Sequence, residues 1–362
     1  MTRPHSMSGM PPSDAQRAVE ALARQVAALD RATAATIINE YAAVYAQLQD
    51  ETASLVRAAQ QRNLKPWEVN RMTRLKELEG QLVSNVSRFS RVAGETVTAG
   101  QRAAVGLSVR GAPVVANASL PTGITLNNLA NVGLGWNQLP SEAFEAFVGI
   151  SGDGMPVGNL LADLGPQAAT NVKAGIRTGI ATGQSPRQIA NTVRLAAGMP
   201  LSKALTISRT EVNRAHREAT RLNYAANSNV VKGYRRLATK DGNTCMACIA
   251  LDNTVYQTNE PLDSHPNCRC AMVPDTLTYQ DLGLDIPEEP RPESGQEWFE
   301  KQPKYRLPQH DKKQAIQSEM MGPKIFAAHQ KGSVGLSDLV TTSTSKVWGK
   351  SSTVKSAKAL GL

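Results

Sequence analysis

The stretch DGNTCMACIALDNTVYQTNEPLDSHPNCRC, residues 241–270, contains all four cysteines of the 362-residue chain. Two cysteines three residues apart are followed, after a loop of sixteen residues, by a histidine and two further cysteines. The turn within Cys-x-x-Cys can aim both thiolates at one metal ion, and the second group can complete its coordination. The spacing therefore predicts a small zinc-type knot with a structural role. Its candidate ligands are Cys245, Cys248, His265, Cys268 and Cys270.

Five candidate ligands are one more than a structural zinc ion binds. We favour Cys245, Cys248, His265 and Cys268, with Cys270 as the substitute for His265. Clustered cysteines suit a reduced compartment and a metal ion, whereas a secreted scaffold spreads its disulfides along the chain. Two alternatives stay open, namely one or two disulfides formed in an oxidising environment, and a catalytic metal ion or nucleophilic cysteine.

A hydrolytic zinc ion would also need an open coordination position and a nearby general base. Asp252, Glu260 and Asp263 lie within the same stretch. Nothing in their spacing distinguishes one of them, so we expect all three carboxylates to be solvated.

The helix predicted over residues 201–227 is unusually polar in its middle. Three of its arginines stand at i, i+3 and i+7 and so form one basic stripe: Arg214, Arg217 and Arg221. This stripe is either a solvated face or a contact for DNA or a protein partner. A further hypothesis makes Arg209 and Glu211 inward-facing residues that hold this helix to the cysteine segment.

A long helix is predicted from Ser13 to Leu64, which contains neither Gly nor Pro. Steps of three or four residues place one apolar stripe along it, interrupted only by Thr33: Leu22, Val26, Leu29, Ile37, Tyr41, Val44 and Leu48. Pro66 marks a break, and a second helix is predicted to start near Trp67. The two helices are expected to form a long antiparallel hairpin.

Pro, Gly and charge divide the chain into successive segments. The predicted fold class is α+β and mostly α, with a long helical hairpin, then a mixed α/β module with the knot, then a short helical tail. The predicted segments are a flexible arm (1–12), the hairpin (13–104), an irregular connector with short strands (105–165), the module (166–275), an acidic Pro-rich linker (276–295) and the helical tail (296–362).

The formal net charge of +9 favours contact with an anionic partner, and nucleic acid is the first candidate. The charge is uneven, since residues 301–362 hold eleven Lys/Arg against three acids, whereas residues 281–300 hold seven acids and one Arg. No run of about 20 apolar residues predicts a membrane span. The N-terminus lacks the apolar core of a secretory signal.

Four motifs in this order resemble the Mu F-like minor head protein family, also called the phage head morphogenesis domain. They are a Gly-x-Ser-x-x-x-Ile-Ala element, an Arg-Thr-Glu helix, a Thr-Cys-x-x-Cys segment and a His-Pro-x-Cys-Arg-Cys end. The matching residues are Gly183, Ser185, Ile189 and Ala190; Arg209, Thr210 and Glu211; Thr244, Cys245 and Cys248; and His265, Pro266, Cys268, Arg269 and Cys270. With similar closing segments such as GQEWFEKQP, the resemblance covers roughly residues 160–362.

The resemblance implies a virion protein of a tailed bacteriophage that is made in the host cytoplasm and enters the head at the portal vertex. Its implied partners are the portal protein, the major capsid or scaffolding protein, and packaged DNA bound without sequence preference. It implies no catalytic residue, so we expect a structural protein with a structural zinc ion rather than an enzyme.

Two competing functions belong to other classes. The first is a metal-dependent nuclease that pairs a zinc knot with catalytic histidines, but of the five histidines only His265 lies beside the knot. The second is a cellular DNA-binding module. The basic helix favours it, although the chain lacks the spacing of helix-turn-helix or zinc-finger motifs that recognise DNA bases.

Overall fold

The computed structural model describes residues 14–62, 68, 73–140, 142–182, 184–287, 292–345 and 347–362. Two long helices open the chain, α1 (Asp14–Gln61) and α2 (Thr73–Ser119). The apolar stripe predicted on α1 is buried at Val26, Ile37, Tyr41 and Val44. The arm predicted over residues 1–12, the predicted helix start at Ser13 and the break at Pro66 lie outside the described residues.

The two helices run antiparallel, as predicted for a hairpin. Three contacts pair them in this direction: Tyr41 with Phe89, Thr33 with Gly100, and Leu22 with Gly111. The glycines permit close approach, because a Cβ at Gly111 would lie 2.7 Å from the Leu22 side chain. Long N-terminal helices are therefore confirmed.

The second helix is longer than the sequence predicted. It continues through Pro113 to Ser119, into residues for which loops and short strands were expected. Buried Ala112, Val115 and Ala116 keep the apolar face of the helix in contact with the protein core. This packing outweighs the loss of the one helical hydrogen bond that a proline cannot donate.

The chain divides into two compact units. One comprises residues 28–103 and 147–212, and the other comprises residues 1–27, 104–146 and 213–362. The short helices α3 (Leu126–Ala130), α4 (Glu142–Glu145) and α5 (Val157–Leu161) are followed by α6 (Leu164–Ala181) and α7 (Pro186–Ala226).

Helix α7 begins where the sequence predicted. The Ser185 hydroxyl and Gln188 side chain form the expected capping interaction, with Gln188 Oε1 2.8 Å from the Ser185 N–H. A separate helix was predicted over residues 201–227, but the structure has one helix that begins at Pro186 and passes through Pro200. The Tyr41 hydroxyl donates to the Ala197 carbonyl in the turn before that proline.

A three-stranded antiparallel sheet follows α7, in the order β2-β1-β3. Its strands are β1 (Val231–Leu237), β2 (Val255–Tyr256) and β3 (Ala271–Thr276). Helix α8 (Met246–Ala250) lies between β1 and β2 in the chain. Tyr234 of β1 stacks on Tyr256 of β2 with ring centroids 5.3 Å apart. Helix α8 and β2 belong to the cysteine segment, and β3 follows the segment directly.

The tail contains helices α9 (Gly295–Glu300), α10 (Gln317–Met321) and α11 (Pro323–Gln330), as the prediction of a helical tail requires. It then forms a C-terminal hairpin of strands β4 (Val340–Ser345) and β5 (Gly349–Val354), which was not predicted. A short 3-10 turn at Ser337–Leu339 precedes this hairpin, and a second one lies at Lys358–Leu360.

Among the described residues, no helix is both long enough and apolar enough to cross a membrane.

Candidate metal centre

The first half of the centre is built at the start of α8. Cys245 occupies the N-cap position, and its sulfur accepts a hydrogen bond from the Cys248 N–H at 3.4 Å. Helix N-termini favour negative charge, so this position suits a thiolate. The Cys-x-x-Cys turn therefore points both sulfurs to one side of the helix start.

The second half of the centre begins at His265, whose ring lies against both sulfurs of the first half. Its Nε2 lies 3.0 Å from Cys245 Sγ and 3.2 Å from Cys248 Sγ. Its Nδ1 lies 2.8 Å from the Pro266 carbonyl oxygen, to which an N–H can donate. A ligating histidine commonly donates its other ring N–H to a carbonyl, which leaves the aimed nitrogen free for the metal. His265 Nε2 could therefore serve as a ligand atom.

Cys268 and Cys270 bring the remaining sulfurs. Cys248 Sγ and Cys268 Sγ are 3.9 Å apart, close to the edge of about 3.8 Å that Zn–S bonds of about 2.3 Å impose on a tetrahedron. The ligand atoms form two overlapping trios within 4.8 Å, one of Cys245, Cys248 and His265, the other of Cys248, Cys268 and Cys270. The structure thus brings all five predicted residues into one Cys/His cluster, with Cys248 shared.

The donor set of the Cys/His cluster fits a zinc ion. Sulfur and imidazole nitrogen are the ligands of structural zinc sites, and the ligand atoms of each trio lie within 4.8 Å of one another. Cys248, Cys268 and Cys270 are buried, whereas Cys245 is partly exposed. The cluster can therefore hold a metal ion, and which four groups bind it stays a prediction.

Thiol and imidazole influence each other's protonation within the cluster. Hydrogen bonds with Cys248 and His265 lower the pKa of Cys245 to about 4. The hydrogen bond with Cys245 raises the pKa of His265 to about 9. The hydrogen bond with Cys245 also raises the pKa of Cys248. These shifts favour a thiolate at Cys245 beside an imidazolium at His265 in the metal-free cluster, so a metal ion that binds both groups would displace the imidazolium proton.

Arg236 of β1 lies directly behind the cluster, and the sequence did not single it out. Its side chain is 0% exposed. Its Nη1 is 3.9 Å from Cys248 Sγ, and its Nη2 is 2.5 Å from Asp263 Oδ1. The guanidinium carbon also lies 5.7 Å from the centre of the Tyr256 ring. A buried cation thus faces the sulfurs on one side and a carboxylate on the other.

Asp263 joins several elements around Arg236. Its Oδ1 accepts from the Tyr256 hydroxyl at 2.7 Å, and its Oδ2 accepts from the Ser352 hydroxyl of β5. Its carbonyl oxygen accepts from Arg236 Nη2 at 3.1 Å and from the Ser352 N–H at 3.2 Å. The expectation that Asp263 is solvated was therefore wrong.

Asp252 is also buried, contrary to expectation, and Lys240 Nζ lies 3.1 Å from its Oδ2. The Ala238 N–H donates to its Oδ1 at 2.7 Å. Burial raises the pKa of this carboxyl. Of the three acids weighed in the sequence, only Glu260 is exposed.

Arg269 ties the two halves of the motif together from outside. Its guanidinium binds Asp241 through two hydrogen bonds of 2.7 Å. Asp241 in turn accepts from the Asn243 N–H at 2.9 Å, which shapes the turn before Cys245. The bidentate ion pair of Arg269 with Asp241 thus holds the Cys268–Cys270 segment to the turn before Cys245.

Two of the three arginines of the predicted basic stripe are occupied inside the protein. Arg217 is 5% exposed and donates to the Cys268 carbonyl at 3.3 Å and to Ser264 Oγ at 3.0 Å. Arg221 pairs with Glu218 at 3.0 Å and donates to the Thr258 carbonyl. The i, i+3, i+7 spacing correctly predicted a shared face, but at Arg217 that face packs on the cysteine segment instead of meeting solvent.

The Arg209-Thr210-Glu211 motif has contacts of its own. Arg209 Nε lies 3.1 Å from Asp30 Oδ2, and Thr210 donates to the Thr206 carbonyl. Glu211 is fully buried, and its Oε1 is 3.4 Å from the Gly152 N–H. On helix α7, Arg217 and Arg221 both hydrogen-bond residues of the cysteine segment. The hypothesis that Arg209 and Glu211 hold the helix to this segment stays a prediction.

Residues 170–273 match the family model described as Phage Mu protein F like protein. The match begins in α6, includes all of α7 and the five candidate ligands, and ends in β3. The resemblance inferred from the motifs is thereby confirmed for this part of the chain. No curated protein and no solved structure matches the chain.

Proposed function

We propose that this chain, which carries a Phage Mu protein F-like domain over residues 170–273, is a minor capsid protein of a tailed bacteriophage that acts in head morphogenesis. The observation that carries the proposal is the family match over the segment that contains the Cys/His cluster. The expected location is the phage head at the portal vertex, after synthesis in the host cytoplasm.

In this proposal the Cys/His cluster is a structural zinc centre, held by Cys245, Cys248, His265 and Cys268. The ion would cross-link the start of α8 to the loop before β3. Such a bond adds folding free energy, because it cross-links two parts of the chain that a sixteen-residue loop separates. The residues around it keep fixed positions: Arg236 lies behind the sulfurs, and Arg217 holds the Cys268 backbone.

A metal-dependent nuclease is less well supported. Three acids in or beside the cysteine segment are ion-paired with basic side chains: Asp241 with Arg269, Asp252 with Lys240, and Asp263 with Arg236. A carboxylate whose oxygens are occupied by a cation and by other hydrogen-bond donors is poorly placed to take a proton from water. Incubation of the zinc-loaded protein with supercoiled DNA and Mg²⁺ or Mn²⁺ should leave the DNA intact. Metal-dependent cleavage that His265→Ala abolishes would reverse this assignment.

The proposed protein partner is the portal protein, with the major capsid or scaffolding protein as further candidates. Co-expression with the portal protein of the same phage should yield a complex that survives purification and appears in native mass spectrometry. An unrelated protein of similar positive charge serves as the control, since a basic surface alone can bind acidic proteins weakly. No complex with the portal protein would contradict the proposed role.

Packaged DNA is the second proposed partner, and the tail offers a better surface for it than α7. Residues 301–314, here called the tail loop, include the exposed Lys304, Lys312 and Lys313. Arg306 holds the loop in shape, because it binds Glu319 at 2.6 Å and donates to the Asp311 carbonyl at 2.7 Å. The lysines thus extend from a fixed loop, which suits phosphate contacts that need no base reading.

The tail loop can be tested with duplex DNA of random sequence. Replacing Lys304, Lys312 and Lys313 by Gln should weaken binding and reduce the slope of log K against log salt by about one per lost phosphate contact. A matched control replaces three exposed cations of the N-terminal helices, Arg24, Arg31 and Lys76, by Gln. Equal effects of the two triple variants would show that only net charge matters.

A further inference from the structure

The C-terminal hairpin contacts both halves of the Cys/His cluster. Helix α8, which carries Cys248, packs against β4, β5 and the 3-10 turn before them. The other half reaches the hairpin through Asp263, two residues before His265. Both the carboxylate and the carbonyl oxygen of Asp263 accept hydrogen bonds from Ser352 of β5.

Arg236 stands between these two halves. One edge of its guanidinium faces Cys248 Sγ at 3.9 Å, and the other binds Asp263 at 2.5 Å. Ser352 itself is 1% exposed, so its bonds to Asp263 lie inside the protein. Hydrogen bonds to a charged, buried group are stronger than those between neutral groups.

We propose that Arg236 and Asp263 are positioning residues that couple the metal centre to the C-terminal hairpin, so that metal loading docks the hairpin. A metal ion bound to Cys248 and His265 holds α8 and the Asp263 segment at a fixed separation. The hairpin contacts both α8 and the Asp263 segment, so it can dock only when the two are held at that separation. This coupling rests on the metal centre proposed above.

The hairpin depends on such docking because two strands alone are marginally stable in water. The outer strand β4 is exposed at Thr342, Ser343 and Thr344, whereas β5 buries Ser351 and Ser352. Most of the free energy that keeps the hairpin closed therefore comes from the face of β5 that meets Asp263 and α8. Loss of register there opens the hairpin locally without unfolding the rest of the protein.

The experiment is hydrogen–deuterium exchange on the full chain, loaded with one zinc ion or stripped by a chelator under reducing conditions. Stripping should speed exchange of the 340–354 amides by about tenfold or more, together with that of residues 245–268. Residues 73–103 of α2 report on global unfolding, and their exchange should stay unchanged.

Two variants keep the test decisive if the stripped protein unfolds. In zinc-loaded protein, Asp263→Asn and Ser352→Ala should each speed exchange of residues 340–354 by about tenfold. Both should retain one metal ion and the wild-type absorption spectrum of the cobalt(II)-substituted protein. Ser343→Ala makes the same chemical change as Ser352→Ala on the exposed side of the hairpin, and it should leave exchange unchanged.

The possible failures are distinct. If zinc binds and its removal deprotects residues 245–268 but not residues 340–354, the coupling is wrong and the metal centre stands. The coupling is also wrong if Asp263→Asn speeds hairpin exchange but also alters the cobalt(II) absorption spectrum. In that case Asp263 would act on the metal ion itself. If neither zinc nor cobalt binds, both the coupling and the metal centre are overturned.

Discussion

Arg236 determines much of the electrostatics around the Cys/His cluster. A buried guanidinium is costly unless charges and hydrogen bonds compensate it. Here Asp263 supplies the opposite charge at 2.5 Å, and the Cys248 sulfur and the Tyr256 ring face the remaining surface. Loss of Arg236 would leave the Asp263 carboxylate buried without its cation.

Arg236→Leu should therefore lower the free energy of unfolding of the zinc-loaded protein by about 3–5 kcal/mol, measured by urea denaturation. The neighbouring Arg235 pairs with Asp275 on a more exposed part of the strand. Arg235→Leu should lower the free energy of unfolding by at most about 1 kcal/mol. Similar losses in the two variants would contradict the role assigned to Arg236.

Zinc affinity should rise steeply with pH. The pKa of His265 is raised to about 9 by its hydrogen bond with Cys245, so the metal-free imidazole is protonated between pH 6 and 8. Zinc binds the neutral imidazole, and each displaced proton makes the affinity about tenfold greater per pH unit. Chelator competition between pH 6 and 8 measures the slope. An affinity independent of pH over this range would contradict His265 as a ligand.

At the residue scale, the sequence predicted the members of the Cys/His cluster but not the residues that surround it. The Cys-x-x-Cys and His-Pro-x-Cys-Arg-Cys spacings are local, and they correctly predicted which groups come together. Arg236 and Asp263 are 27 positions apart, and no local pattern links them before the strands pair. The helical spacing of Arg217 likewise predicted its face but not the segment that covers it.

Among the elements, α2 shows where local signals were overridden. Gly111 and Pro113 in RGAPVV favoured a loop, but tertiary packing of Ala112, Val115 and Ala116 keeps this region helical. A proline inside a helix lacks the N–H that would bond the carbonyl four residues earlier. Pro113 is therefore a local weak point in an otherwise continuous helix.

Pro113→Ala should raise the free energy of unfolding by about 1–3 kcal/mol, because it restores a donor and a helix-forming residue. A rise in Tm measured by circular dichroism reports the change. Pro323→Ala is the matched control, since Pro323 occupies the first turn of α11, where no donor is needed. No gain at Pro113, or an equal gain at Pro323, would contradict this interpretation.

The C-terminal hairpin was missed for a different reason. VTTSTS in β4 does not alternate between apolar and polar residues, so the period of a half-buried strand is absent. Its high content of β-branched Thr and Val was the available signal. Strand β5 is held to the rest of the protein through Ser352, which hydrogen-bonds Asp263, 89 positions earlier in the chain. Sequence periodicity does not report such a contact.

At the scale of the molecule, the two compact units do not follow the order of the chain. Each is assembled from separate stretches, such as residues 28–103 with 147–212. The sequence divided the chain into consecutive segments, because Pro, Gly and charge mark positions along the chain only. Those segment boundaries stay predictions, whereas the mostly helical α+β class is confirmed.

The tail packs against the cysteine segment, although the family match ends at residue 273, before the tail begins. A Cβ at Gly295 would clash with the Ile249 carbonyl of α8, so only glycine allows α9 to approach so closely. Gly242 likewise lies against the backbone of Ala315. The tail thus contacts the cysteine segment at more than one point.

The central claim is that Cys245, Cys248, His265 and Cys268 hold one structural zinc ion. The most direct measurement is zinc content per chain, determined by elemental analysis of the purified protein and of single variants. We predict one zinc ion in the wild type and in Cys270→Ser, and loss of zinc in Cys245→Ser, Cys248→Ser, His265→Ala and Cys268→Ser. Absence of zinc from the wild type, or retention in His265→Ala with loss in Cys270→Ser, would contradict it.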